Sequence, residues 1–145
     1  MSQRTLTIIK PDAVEAGNAE KILAQLEAEG FNILALKRLQ LDRDQARSFY
    51  RVHRQRPFYD SLVEFMTSGP VVVAALERED AVAGLRRVMG ATNPQEAAEG
   101  TLRALYASSI ERNAIHGSDS LENAALELAF FFSPAELAEP PAIED

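Results

Sequence analysis

A histidine at the end of a short apolar run, followed by a glycine and three small oxygen-bearing side chains, is the densest chemistry in this chain. The stretch reads Arg112-Asn113-Ala114-Ile115-His116-Gly117-Ser118-Asp119-Ser120 and leads into the apolar pattern Leu121 to Phe132. A neutral imidazole, with an ordinary pKa of about 6.5, keeps one nitrogen free near pH 7. A carboxylate on the other nitrogen would fix the tautomer and stabilise the cation formed on attack. His116 is therefore read as a nucleophile and Glu127, on the flank of the following apolar stripe, as its carboxylate, because a partly buried carboxylate needs a partner. Ser118 is placed to orient Glu127. The competing reading is a histidine satisfied by its neighbours in a purely structural role; the Gly-Ser-Asp-Ser run and the helix start after it weigh against that.

Other chemistries lack their residues. The chain has no cysteine and only two histidines, His53 and His116, far apart, so neither thiol chemistry nor an all-protein zinc site is expected. No phosphate-binding GxxxxGK[ST], GxGxxG or kinase loop is present. A net charge of −7 and a pI near 4.9 oppose binding to nucleic acid or anionic membrane. A phosphorylated ligand would then need cations gathered locally against the global sign. Lys10 stands at the end of a strand, from which a long cation can reach outward, although taken alone it reads better as a solvated lysine. A basic cluster interleaved with aromatics, Tyr50, Arg51, His53, Arg54, Arg56, Phe58 and Tyr59, could stack on a base and hold phosphate, although such clusters are commonly solvated faces. Arg86 and Arg87 lie near a helix end, where they could equally complement the helix dipole. A connection from Gly90 to Arg112, long enough to suggest function, carries Thr92, Asn93, Arg103 and Tyr106.

These residues need positioning elements, and the apolar periodicity supplies them. Arg4 to Lys10 reads as a strand stopped by Pro11, Asn18 to Glu29 as a helix capped by Asn18 and ended by Gly30, and Phe31 to Leu41 as extended chain. Asp42 caps a helix running through Ala46, Phe49 and Tyr50. Leu62 to Met66 is a short helix before the turn Ser68-Gly69-Pro70. The unbroken apolar run Val71 to Leu76 reads as a central strand covered on at least one face. Asp80 to Met89 is a helix with Val82, Leu85 and Val88 inward; Pro94 to Glu99 and Thr101 to Tyr106 are helical turns. Asn113 to His116 is a brief strand, and Ser120 caps a helix whose stripe is Leu121, Ala124, Ala125, Leu128 and Phe132. Residues 134–145, acidic and containing Pro134, Pro140 and Pro141, read as a loosely ordered tail or an arm on a neighbouring subunit.

With 145 residues, 46% hydrophobic and 26% charged, the chain fits one soluble domain, residues 1–133, followed by that tail. No apolar run approaches the roughly 18 residues of a membrane span, and no secretion signal opens the sequence. A cytoplasmic location is expected.

Several blocks, in order, resemble the nucleoside diphosphate kinase family over about residues 3 to 133. Asn113 to Ser120 looks like its active-site signature and Thr5 to Ala13 like its first strand and turn. Arg56-Pro57-Phe58 and Phe65 to Pro70 resemble its middle, and Met89 to Pro94 its long loop. The resemblance implies a ferredoxin-like α/β (α+β) domain, a four-stranded antiparallel sheet with helices packed on it. It also implies ping-pong transfer of the γ-phosphate of a nucleoside triphosphate to a diphosphate through a phosphohistidine on His116. Carried over by position, Lys10 and Asn113 would hold the ribose hydroxyls and the transferring phosphate region. Arg86, Thr92, Arg103 and His53 would hold the phosphates, with Tyr50 near the γ-phosphate. Phe58 would stack on the base, with Ile110 on its other face. Glu127 would orient His116, and Ser118 would support Glu127. Mg²⁺ would arrive with the nucleotide, bridging phosphate oxygens. Stacking that ignores base identity implies broad nucleotide specificity. A homo-oligomer (dimer, tetramer or hexamer) is implied too. Glu20 and Arg78 stand where the family commonly has glycine, and Leu105 where it has aspartate; none carries an assigned role. The alternatives are a nucleotide-binding or regulatory module of the same fold that has lost transfer, and an interaction domain that binds no nucleotide.

Overall fold

The apolar run Val71 to Leu76 becomes the middle of a strand, β3 (Val71–Glu79), whose alternate side chains enter two different cores. Val72, Ala74 and Leu76 pack on one face with Ile9, Ile22, Leu26, Leu85 and Leu102. Val71, Val73 and Ala75 pack on the other with Leu6, Ile8, Phe65, Met66 and Leu128. A strand buried on both faces needs no polar alternation, and each such Val or Leu contributes about 1.5–3 kcal/mol of burial.

The computed structural model describes residues 2–137. In chain order the remaining elements are β1 (Ser2–Ile9), α1 (Pro11–Glu15), α2 (Ala19–Ala28), β2 (Asn32–Leu39), α3 (Arg43–Phe49), a 3₁₀ turn (Arg51–His53) and α4 (Tyr59–Met66). After β3 come α5 (Ala81–Met89), α6 (Leu102–Tyr106), β4 (Ile115–Gly117), α7 (Leu121–Phe131) and α8 (Pro134–Leu137). The strands form one sheet in the order β2-β3-β1-β4, all neighbours antiparallel. This is a ferredoxin-like α+β fold, with β1 and β3 central and β4 on an edge.

Several boundaries differ from the expected ones for local reasons. β1 ends at Ile9 because Lys10 is already the N-cap of α1, with Pro11 in its first turn, where the missing N–H of proline costs nothing. The Pro-Asp corner is therefore a short helix. β4 starts at Ile115 because Ala114 has φ +71°. The fourth helix begins at Tyr59, ahead of Leu62, while residues 94–99 form turns without a helix. On α5, Leu85 is fully enclosed and Val82 and Val88 are half-buried. The face α7 buries is Ala124, Leu128 and Phe131, continued by Phe132; Leu121 and Ala125 are exposed. Spacings of four and three residues align that buried row along the sheet, whereas Leu121 and Ala125 sit on an adjoining row.

Asp42 caps α3 through a reciprocal box with Gln45, and Ser120 caps α7 by accepting from the Asn123 N–H. Pro134–Leu137 is a helical turn tied to β2: Lys37 Nζ donates to the Phe131 carbonyl (2.8 Å) and to Glu136 Oε1 (3.0 Å). The rest of the expected tail, 138–145, lies outside the described residues.

Candidate active site

His116 sits in the middle of β4, paired opposite Ile8 of β1, and its backbone carbonyl accepts from Thr7 Oγ1 at 2.8 Å. The strand thus fixes the backbone, and α7 fixes the ring. Glu127, one face of that helix away, places Oε1 2.7 Å from His116 Nε2. Ser118 Oγ donates to the same Glu127 oxygen at 2.9 Å and accepts from the Leu6 N–H at 3.4 Å. Phe49 at the end of α3 sets its ring edge-on to the imidazole, centroids 5.5 Å apart. Among the described residues Nε2 alone of the two ring nitrogens is held by the protein, leaving Nδ1 for other partners.

A cleft of about 410 Å³ opens beside the ring, lined among others by Tyr50, His53, Arg86, Arg103, His116 and Glu127. The two arginines are held by carbonyls rather than carboxylates. Arg86 Nη1 donates to Gly117 O at 3.3 Å. Arg103 donates from Nη1 to Gly90 O at 3.1 Å and from Nη2 to Ile115 O at 2.9 Å. Neither makes an ion pair among the described residues. Burial, together with the neighbouring Arg86, lowers the Arg103 guanidinium to about 10, and Arg103 Nε is buried without a hydrogen-bond partner. Uncompensated cations packed together in a protein of net charge −7 make a local field that an anion relieves.

Lys10 lies under this floor, 8% exposed, with Nζ donating to Asn113 Oδ1 at 2.8 Å. Its pKa falls to about 8, from burial first and from Arg103 second, against the opposing charge of Asp12. Tyr50 is buried, its hydroxyl has no hydrogen-bond partner, and burial and the Glu127 charge push its pKa up.

The remaining assigned residues stand farther out. His53 lines the cleft and its ring centre lies 5.4 Å from that of Phe58, which puts Phe58, 48% exposed, beyond the His53 wall. Ile110 is 60% exposed and Thr92 is exposed; neither lines the cleft around His116.

Sequence reasoning missed Phe49, taken only as a helix residue, and the α7 wall of Asn123, Leu126 and Phe130. Helical spacing carries the signal for that wall: positions 123, 126, 127 and 130 share the face that Glu127 occupies. Asp12 was missed too, since its contact spans the fold.

The nucleoside diphosphate kinase family model matches residues 3–137. A nucleoside diphosphate kinase of Campylobacter jejuni is 58% identical over 135 residues, 93% of this chain and 98% of the relative. That of Persephonella marina is 53% identical over 137 residues, 94% and 98%. The Aquifex aeolicus nucleoside diphosphate kinase structure superimposes with a TM-score of 0.93 at 48% identity, covering 95% of this chain and 100% of the other. A halophilic one from Halobacterium salinarum, in complex with CDP, gives 0.91 at 38% identity, covering 96% and 93%. The chain belongs to the nucleoside diphosphate kinase family, whose members are phosphotransferases.

Proposed function

We propose that the chain passes the γ-phosphate of a nucleoside triphosphate to a nucleoside diphosphate through His116. The observation that carries this is the pairing of His116 Nε2 with Glu127 beside a cleft floored by Arg86 and Arg103 without carboxylate partners. In the first half-reaction the Nδ1 lone pair attacks the γ-phosphorus. The bond to the β–γ bridging oxygen breaks, and the nucleoside diphosphate leaves with that oxygen. In the second, a terminal β-phosphate oxygen of another nucleoside diphosphate attacks the phosphohistidine and the P–N bond breaks. Glu127 stabilises the imidazolium character that develops on Nε2, and Ser118 keeps Glu127 in place. Phosphoryl transfer asks mainly for positioning and charge neutralisation, which Lys10, Arg86 and Arg103 provide with His53 and Thr92 on the phosphates and Tyr50 near the transferred group. Asn113, held by Lys10, serves the ribose side. Phe58, with Ile110 across from it, stacks on the base without reading its identity, hence broad base specificity.

No group of three or more His, Cys, Asp or Glu side chains able to hold a metal ion exists among the described residues. A Mg²⁺ would arrive with the nucleotide in the cleft lined by Arg86 and Arg103 and would supply further neutralisation of phosphate charge. We further propose a homo-oligomer acting in the cytoplasm. No described helix is long and apolar enough to cross a membrane.

Incubation with γ-labelled ATP and Mg²⁺ is expected to leave one acid-labile phosphate per chain, and His116→Ala to take up none. A wild-type protein that stays unlabelled would refute transfer and leave the inactive nucleotide-binding module, which nothing in the composition of this site favours.

A further inference from the structure

The segment entering the site is strained. Ala114 is fully buried, with φ +71°, and the Ile115 N–H donates across it to the Asn113 carbonyl at 2.8 Å. Positive φ with an i to i+2 hydrogen bond describes the rarer, strained form of γ-turn, which persists only where surroundings hold it. Asn113 opens this turn and His116 directly follows it, so in the proposed site the turn sets the angle between them. Both polar groups of Ala114 are tied to the β1–α1 corner. Its carbonyl accepts from the Lys10 N–H at 2.8 Å, and its N–H donates to Asp12 Oδ2 at 3.1 Å.

Asp12 is not among the residues lining the cleft. Burial pushes its carboxyl above the ordinary range, against the N–H groups of Ala13 and Ala114 and the Lys10 charge. A partly desolvated carboxylate held this way is costly for a purely local turn. We propose that Asp12 is a positioning residue. Its carboxylate holds the Ala114 γ-turn, and through the turn it aligns Asn113 on Lys10 and His116 on Glu127. The kinetic part of this inference rests on the phosphotransfer proposed above; the structural part does not.

Asp12→Ala removes the acceptor, and Asp12→Asn keeps an oxygen for the Ala114 N–H. The rate of phosphoenzyme formation is expected to fall about tenfold to a hundredfold in Asp12→Ala, the loss of a hydrogen bond to a charged group. The KM for ADP should rise as the Lys10–Asn113 pair loosens, and Asp12→Asn should recover most of both. In the unliganded proteins, NMR should show the Ala114 amide and the His116 ring nitrogens displaced in Asp12→Ala and returned towards wild type in Asp12→Asn. Wild-type kinetics with unmoved signals in Asp12→Ala would overturn the proposal, as would an Asp12→Asn variant no better than Asp12→Ala. If Asp12→Ala does not fold, the amide and ring signals of Asp12→Asn decide: near wild type supports the role, and displaced as far as an unfolded or rearranged turn refutes it. A wild type that takes up no phosphate counts against the transfer reading alone, and the NMR comparison still decides Asp12.

Discussion

Lys10 shows how much one side chain's environment changes its chemistry. An ammonium that titrates near 8 in the folded chain and near 10.5 when free is destabilised in its charged form by burial and by Arg103. The folded protein therefore carries that penalty in full below pH 8. Between pH 8 and 10.5 the unfolded chain binds more protons, so this group's contribution to stability rises with pH across that window. In the proposed role on the phosphates Lys10 must be charged, so binding above pH 8 would take up a proton. ADP affinity is expected to weaken as pH rises beyond 8, by at most about tenfold per unit. Titration calorimetry at pH 8.5 in buffers of different ionisation enthalpy should register the uptake, and Lys10→Met should flatten the profile. An affinity independent of pH from 7 to 9.5 would show that Lys10 does not meet the phosphates. The same residue makes the case for tertiary origin: a lysine at a strand end looks solvated in sequence, and only the fold brings Asn113 and Arg103 to it and buries it.

At the level of elements, two glycines separate close packing that matters from close packing that yields. α5 lies directly on β4 because Gly117 has no side chain: a Cβ there would meet Met89 Sδ at 2.6 Å and Leu85 Cδ2 at 2.8 Å, both in core side chains that have nowhere to go. Gly117 also offers the carbonyl that holds Arg86. Gly117→Ala is expected to destabilise by about 1–3 kcal/mol through overpacking. At Gly84, inside α5, a Cβ would collide with Arg78 Nη1, but that is the far end of a flexible chain resting on the Phe31 ring, 4.9 Å away. Losing that contact costs about 0.5–1 kcal/mol, and replacing a mid-helix glycine with alanine returns about 1 kcal/mol. Gly84→Ala should therefore stay within about 0.5 kcal/mol of wild type. Chemical denaturation of the pair tests the contrast, and equal losses at both positions would contradict it. Arg78 is thus accommodated by the bare backbone of Gly84.

For the whole molecule, the relevant balance is a net charge of −7 against one basic cleft. ADP at about a hundred times its dissociation constant should stabilise the fold by about 2.7 kcal/mol, a rise in melting temperature of roughly 5–10 °C for a chain of this length. Scanning calorimetry with ADP checks this, and added salt should reduce the shift by screening the arginines. No shift at saturating ADP would leave only a fold without a nucleotide site.

The sequence by itself determined the strands and most helices, because apolar periodicity and caps such as Asp42 and Ser120 are local properties. It also made His116, Ser118 and Glu127 legible, since the first two share a short motif and the third lies on the helix that directly follows. Tertiary structure alone decided that Lys10 is buried against Asn113, that Arg86 and Arg103 share one cleft with no ion pair among the described residues, that Phe49 flanks the imidazole, and that Asp12 holds Ala114. Each joins residues on different elements, and desolvation and like-charge crowding exist only once strand pairing has closed the sheet around them.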